Sequence, residues 1–195
     1  MSEPRRGSLA YVFWHWKRPE IPRGLYEDRQ LAFQAALAAH PPSGFRSGST
    51  YRLSGAAWAG AGGAAYEDWY LVDDMAALER LNEAAVTAAR QAPHDAVAAL
   101  AAGGTAGLYG LRAGIPHPAP RVATWFAKPA GLSYAALDAL LQPLLSGGQF
   151  ALWSRRMTLG PTQEFCLHSA SNVALPEGFA PQRISLEPLT GPAAP

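Results

Sequence analysis

The chain has 195 residues, of which 49% are hydrophobic and six are tryptophan, a composition typical of a folded globular protein. The formal net charge of +1 gives no strong field toward nucleic acid or an anionic membrane, so neither is expected as a partner. One cysteine cannot form an internal disulfide, and no apolar run approaches the roughly 18 residues of a membrane-spanning helix, so a cytoplasmic location is expected.

The first half of the sequence predicts the element order βαββαβ. The predicted elements are strands over 9–17, 45–54, 66–72 and 105–112, a helix over 25–39, a helix after Asp73 or Asp74, and a short helix from Pro93 to Ala102. The first helix stops at Pro41-Pro42, and Gly103-Gly104 ends the last one.

The second half repeats this order in a shortened form after a proline-rich linker over 115–120. It contains predicted strands over 121–128, 149–159, 162–169 and 182–187 and a helix over 133–145. The segment from Ser169 to Ala180 is too short for a second helix. The predicted domains are a first unit over 1–114, a degenerate second unit over 121–187, and a flexible tail over 188–195.

Two runs of sequence link the halves. Residues 11–17 (YVFWHWK) are similar to 122–128 (VATWFAK), and 66–72 (YEDWYLV) are weakly similar to 162–168 (TQEFCLH). The order βαββαβ is the ferredoxin-like motif. On this order, and on YEDWYLVDD followed by an amphipathic helix, the chain resembles the dimeric α/β-barrel superfamily, in which two ferredoxin-like units pack their sheets into a barrel.

The resemblance implies an α+β fold with a pocket between sheet and helices or inside the barrel. It also implies chemistries that range from cofactor-free oxygenation and isomerisation to haem-dependent reactions, and fold alone does not choose among them. Related barrels usually form homodimers, although an internally duplicated chain can close its own barrel.

Strand alternation predicts which face carries a site. Trp69 and Leu71 align with apolar residues of the repeat and are expected to face the helices. The alternate positions mix polar and apolar residues and are expected to line an inner, ligand-binding face. These positions are Tyr66, Asp68, Tyr70 and Val72 in the first copy and Thr162, Glu164, Cys166 and His168 in the second.

His15 is predicted to share a surface with Asp68. A carboxylate beside a histidine orients its tautomer and tunes its pKa, so His15 assisted by Asp68 is the hypothesis for a general base. The predicted ligand-binding residues are Arg52, Tyr66, Arg155, Glu164 and His168. In the alternative interpretation, His15 is a core histidine and the acidic residues pair with arginines of the protein.

Other residues give weaker signals. Cys166 lies in an apolar run and is expected to be a small buried hydrophobe. His94 opens a helix, and the resemblance implies an alternative role as an axial haem ligand, because related haem-binding barrels use a helical histidine. The Gly/Ala-rich segment 54–65 lacks a phosphate-binding pattern and is expected to be a hairpin connection with Trp58 as a hypothetical lid. No paired histidine or cysteine motif predicts a metal site.

The leading hypothesis is a small-molecule-binding α/β barrel. The residues leave open whether it is an enzyme; if it is, a cofactor-free oxygenase or isomerase acting on a small acidic or aromatic compound is expected. The alternative is a non-catalytic structural or interaction protein with a filled barrel, and the third hypothesis is a haem-dependent barrel enzyme.

Overall fold

The computed structural model describes residues 8–56, 64–146, 149–158, 160 and 162–190, so the hypothetical lid residue Trp58 lies outside the described residues. Within these ranges the chain forms eight strands, four α-helices and a 3₁₀ turn. The strands are β1 (Leu9–Lys17), β2 (Phe45–Ser54), β3 (Ala65–Val72), β4 (Ala101–Gly114), β5 (Val122–Phe126), β6 (Ala151–Thr158), β7 (Phe165–Ser169) and β8 (Gln182–Thr190). The helices are α1 (Arg23–Ala39), α2 (Met75–Ala85), α3 (Gln91–Ala98) and α4 (Tyr134–Ser146), with the 3₁₀ turn over Ala88–Arg90.

The strands close into one antiparallel barrel in the order β1-β3-β2-β8-β5-β7-β6-β4. Strands β4, β1, β3 and β2 form the sheet of the first half, and β6, β7, β5 and β8 form the sheet of the second. The pairs β2–β8 and β4–β6 join the two sheets. The predicted α+β fold of two fused ferredoxin-like units is therefore confirmed, and a single chain closes the barrel.

Large aromatic side chains fill the interior of the barrel. Trp14, Trp69, Trp125, Trp153 and Tyr109 are all buried, and their rings contact one another at centroid distances of 5.2 to 6.4 Å. Small apolar side chains from the same strands complete the packing. The interior is therefore a packed core and not a ligand cavity, as is usual for small barrels.

The predicted assignment of strand faces is wrong for the first copy, whereas in the second copy Phe165 and Leu167 lie beneath α4, and Cys166 and His168 face the barrel interior, as predicted. Trp69 lies in the barrel core and Leu71 packs against it, whereas the sequence places both beneath the helices. Tyr66, Asp68 and Tyr70 instead lie on the outer face, under the helices of the first half. The reason is volume, because an eight-stranded barrel has room inside only for side chains, and the largest apolar residues fill it.

The sequence alignment of β3 with its repeat is also wrong. Trp14 pairs with Glu67 across β1 and β3, and Trp125 pairs with Cys166 across β5 and β7. Because Trp14 corresponds to Trp125 in the repeat, Glu67 corresponds to Cys166. The sequence alignment instead matched Cys166 to Tyr70, three residues further along β3. An odd displacement exchanges the two faces of a strand, because successive side chains point to opposite sides.

The helices cover the outer faces of the barrel. Helices α1, α2 and α3 cover the first sheet, and Asp74 caps the N-terminus of α2 by accepting a hydrogen bond from the amide of Ala77 at 2.8 Å. In the second half, α4 and the segment containing Leu175 and Phe179 cover the sheet, with no second helix there among the described residues. None of the described helices is long and apolar enough to cross a membrane.

Strand β8 continues beyond its predicted end. It runs to Thr190, because Pro188 pairs with Tyr51 and Thr190 pairs with Thr50 of β2. The segment predicted as a flexible tail from residue 188 therefore begins inside the strand that joins the two halves.

Candidate functional site

A cavity of about 540 Å³ lies between the outer face of the first sheet and helices α1, α2 and α3. Its apolar wall includes Tyr11, Phe13, Phe33, Leu37, Leu81, Val86 and Val97. Its polar lining consists of His15, Tyr26, Gln30, Asp68, Tyr70, Asn82 and His94. A concave, mainly apolar space with a few polar groups is the usual form of a small-molecule site.

The periodicities of strand and helix bring the polar groups together. Phe13 and His15 are two residues apart on β1 and share its outer face, and Phe13 lies opposite Asp68 on β3. On α1, Tyr26 and Gln30 are four residues apart and therefore project from the same side of the helix, toward the sheet.

Asp68 is the centre of a buried hydrogen-bond network. Its Oδ1 accepts a hydrogen bond from the Thr50 hydroxyl at 2.6 Å, and its Oδ2 accepts from the Gln30 amide and the Tyr70 hydroxyl, both at 2.7 Å. The Gln34 amide in turn donates to Thr50 Oγ1 and Tyr70 Oη at 3.0 Å. A carboxylate that is 2% exposed needs such donors because water does not reach it.

Both ring nitrogens of His15 face protein groups. Nδ1 lies 2.6 Å from the Tyr26 hydroxyl oxygen, and Nε2 lies 3.4 Å from Asp68 Oδ1, within ion-pair distance but outside hydrogen-bond geometry. The imidazole is nearly parallel to the rings of Phe13 and Tyr66, each at a centroid distance of 5.4 Å. The structure thus brings His15 and Asp68 together and fixes the orientation of the imidazole.

Burial raises the pKa of three tyrosines around this pair. For Tyr26 and Tyr70 the negative charge of Asp68 adds to the effect, and for Tyr66 the charge of Glu27 does so. Their hydroxyl groups therefore stay neutral at ordinary pH and act as hydrogen-bond donors. Among the described residues that line the cavity, Asp68 is the one acidic side chain, and none is arginine or lysine.

Arg52 lies beside the site but outside the cavity lining. Its Nη1 is 2.8 Å from Glu27 Oε1, and its Nη2 forms a second ion pair with Glu187. The hydroxyl of Tyr66 donates to the same Glu27 oxygen at 3.1 Å. The sequence left open whether Arg52 binds a ligand or a carboxylate of the protein, and the structure shows it bound to protein carboxylates.

Three predicted ligand-binding residues lie away from this cavity. Arg155 is exposed on β6, and Glu164 precedes β7, where it accepts a hydrogen bond from the Tyr134 hydroxyl at 2.6 Å. His168 points into the barrel with its ring 4.3 Å from that of Trp69, and burial lowers its pKa to about 3. The displaced alignment of the repeat is the reason that the sequence placed Glu164 and His168 at the site.

Tyr70 was predicted to share the face of Asp68, but the other hydrogen-bond partners of His15 and Asp68 were not predicted as site residues. Gln30 and Gln34 carry a usable signal, because two amides on the buried stripe of α1 need polar partners. Tyr26 carries no such signal, since a buried tyrosine on a helix is an ordinary core residue.

A second buried carboxyl group, that of Glu67, lies on the opposite side of β3, inside the barrel. The indole N–H of Trp14 donates to its Oε2 at 2.6 Å, and that of Trp69 donates to its Oε1 at 2.5 Å. Burial raises the pKa of Glu67 to about 7, and the indole hydrogen bonds offset this effect only in part. The strand separates Glu67 from the cavity, so it is not part of the candidate site.

Solved structures of similar shape cover nearly the whole chain, whereas no protein-family model and no curated protein matches its sequence. A provisionally assigned monooxygenase from Fusobacterium nucleatum subsp. nucleatum has a TM-score of 0.66 at 8% identity, over 96% of this chain and 95% of its own. A provisionally assigned monooxygenase from Lactobacillus acidophilus NCFM has a TM-score of 0.61 at 7% identity, over 95% of each chain. An anthrone oxidase-like protein has a TM-score of 0.55 at 10% identity, over 94% of this chain and 92% of its own.

The fold is that of the dimeric α/β barrels. At identities of 7% to 10% the similarity shows the fold alone, because one fold hosts many unrelated activities.

Proposed function

We propose that the protein binds an uncharged aromatic compound in the cavity and that His15, assisted by Asp68, removes a proton from it. The observation that carries this proposal is the 3.4 Å contact between His15 Nε2 and Asp68 Oδ1 at an aromatic-walled cavity of about 540 Å³. A buried histidine beside a carboxylate in a concave site is the arrangement expected of a general base.

Each member of the pair has a separate role. His15 accepts the proton, and Asp68 stabilises the imidazolium that forms, with an attraction that burial strengthens. Gln30, Thr50 and Tyr70 hold the carboxylate in place through the three hydrogen bonds described above. The geometry is fixed before the compound binds, which lowers the cost of reaching the transition state.

The charge of the lining favours an uncharged compound over an acidic one. An anion in the cavity would lie near Asp68 with no arginine or lysine among the described lining residues to offset the repulsion. Arg52, one of the predicted ligand-binding residues, is already bound to Glu27 and Glu187. Tyr11 and Phe13 instead present aromatic faces that suit a planar compound.

Anthrone is a suitable probe, because it is uncharged and loses a C–H proton to give a stabilised anion. Exchange of that proton with deuterated solvent, followed by NMR, measures the proton transfer, and an oxygen electrode shows whether the anion is then oxygenated. His15→Gln and Asp68→Asn are expected to lower the catalysed exchange rate by about 10²- to 10⁴-fold. His117→Gln, a histidine in the linker, is the matched control, and an undiminished rate for His15→Gln would refute the proposal.

A second candidate is a non-catalytic structural or interaction protein. The filled barrel interior favours it, as does the pairing of Arg52 and Glu67 with groups of the protein itself. The open cavity beside His15 favours the first candidate. A homodimer stays a prediction on either view, since closing the barrel requires one chain only.

The cavity does not fit haem. His94 lines it, and its Nδ1 contact with Asp95 at 3.0 Å leaves Nε2 available, so this residue does not argue against haem. Haem carries two carboxylates, however, and the described lining residues include no arginine or lysine to bind them. No step of the proposed reaction is therefore assigned to haem.

A further inference from the structure

Tyr26 occupies the position from which a bound compound would reach His15. Its hydroxyl oxygen is 2.6 Å from His15 Nδ1, and both side chains line the cavity. The other ring nitrogen, Nε2, is buried against Asp68. Neither nitrogen of His15 is open to a compound in the cavity while the Tyr26 hydroxyl stays in place.

The surroundings assign the direction of the hydrogen bond between the two residues. A nitrogen lone pair at Nε2 would face the Asp68 oxygen at 3.4 Å and be repelled, so the N–H is assigned to Nε2. Nδ1 then carries the lone pair and accepts the hydrogen bond from the Tyr26 hydroxyl. The lone pairs of the Tyr26 oxygen are left to accept a proton from the cavity side.

We infer that Tyr26 is a catalytic residue that relays the proton from the bound compound to His15. This inference rests on the proposed function of the cavity. In the step, the O–H or C–H bond of the compound breaks and its proton bonds to Tyr26 Oη, while the Tyr26 O–H bond breaks and that proton bonds to His15 Nδ1. The products are the anion of the compound, a neutral Tyr26 and an imidazolium, and no oxidant or reductant is required.

The groups around Tyr26 favour a neutral hydroxyl that passes a proton on over a Tyr26 that is deprotonated before the compound binds. Burial raises the pKa of Tyr26, so a tyrosinate does not accumulate and the two transfers must be coupled. Asp68 faces the imidazolium from β3. Glu27, the next residue on α1, is already bound to Arg52 and Tyr66 and does not compete for the proton.

A purely structural role for Tyr26 predicts a different outcome. Its ring packs against that of Tyr66 at a centroid distance of 5.1 Å, and Tyr26→Phe keeps this packing while removing the hydroxyl. Tyr109→Phe is a matched control, because it removes a buried hydroxyl bonded to Thr162 on the other side of the sheet. Thermal unfolding of each variant verifies that the fold is retained.

The test of the relay is the rate at which anthrone exchanges its C–H proton with deuterated solvent, because a relay changes the rate of proton transfer and not its equilibrium. Binding is measured separately as the Kd for 4-nitrophenol, titrated at a pH at which the dye is protonated and uncharged. The wild-type protein and Tyr109→Phe are expected to exchange the anthrone proton at similar rates. Tyr26→Phe is expected to bind 4-nitrophenol with a similar Kd but to exchange the anthrone proton at least about tenfold more slowly, an effect that lost packing would not produce.

The outcomes separate the relay from the function on which it rests. Exchange at the wild-type rate by Tyr26→Phe but not by His15→Gln would overturn the relay alone, because His15 would then take the proton directly. Undiminished exchange by His15→Gln, or no binding of 4-nitrophenol by the wild-type protein, would overturn the proposed function and the relay together.

Discussion

The carboxyl group of Glu67 is fully buried, and its pKa is raised from the ordinary value of 4.5 to about 7. An acid with a higher pKa in the folded protein contributes stability that is full below pH 4.5 and is lost as the pH rises through 7. One pKa unit corresponds to about 1.4 kcal/mol, so the whole effect is about 3 kcal/mol. About 2.5 kcal/mol of it falls between pH 5 and pH 8.

Glu67→Gln removes this titration while keeping the length of the side chain. The amide can accept only one of the two indole hydrogen bonds, which costs about 1 kcal/mol at every pH. Urea unfolding followed by circular dichroism at pH 5 and pH 8 gives the free energy of unfolding of both proteins. The difference in free energy of unfolding, variant minus wild type, is expected to be about 2.5 kcal/mol larger at pH 8 than at pH 5.

Two comparisons make this test decisive. Glu177→Gln, at an exposed position, should show no such change with pH. The titration of His168 is common to both proteins and cancels in their difference. A difference between Glu67→Gln and wild type that is the same at both pH values would refute the argument from burial.

Two further predictions concern the barrel interior and the cavity wall. Burial lowers the pKa of His168 from 6.5 to about 3, so its contribution to stability is full above pH 6.5 and is lost as the pH falls toward 3. When the pH is lowered from 7 to 4, the free energy of unfolding in urea should therefore fall by about 3 kcal/mol less for His168→Leu than for wild type. An added Cβ at Gly104 would lie 2.5 Å from Phe13 Cζ and 3.0 Å from the Trp14 carbonyl oxygen, so Gly104→Val should push the Phe13 ring toward the cavity. The Kd for 4-nitrophenol should then rise at least about tenfold in the same titration, and an unchanged Kd would contradict this.

The order of the elements could be predicted from the sequence because local signals determine it. Apolar periodicity and the stop at Pro41-Pro42 mark elements that the structure contains, although α3 ends at Ala98 and Gly103-Gly104, predicted to end it, lie inside β4. The proximity of His15 and Asp68 could also be predicted. Residues on one face of two adjacent strands stay together whether that face points inward or outward, so the wrong assignment of faces did not affect it.

The faces themselves depend on tertiary packing and could not be read from one strand at a time. Whether Trp69 or Tyr70 points into the barrel depends on the volume that the other seven strands leave there. His168 does face the barrel interior as predicted, but the sequence similarity of β7 to β3 is too weak to show that this face is opposite to that of Asp68. Tyr26 depends on how α1 crosses the sheet, which no local pattern specifies.

Closure of the barrel by one chain has a consequence for association. Every described strand has a hydrogen-bonded neighbour on both sides over at least part of its length, so no described strand offers a whole free edge to another molecule. Edge-to-edge strand addition, the usual route to domain swapping and fibrous aggregation, is therefore disfavoured in the folded protein. Opening the β2–β8 or β4–β6 seam would expose two unpaired strand edges at once.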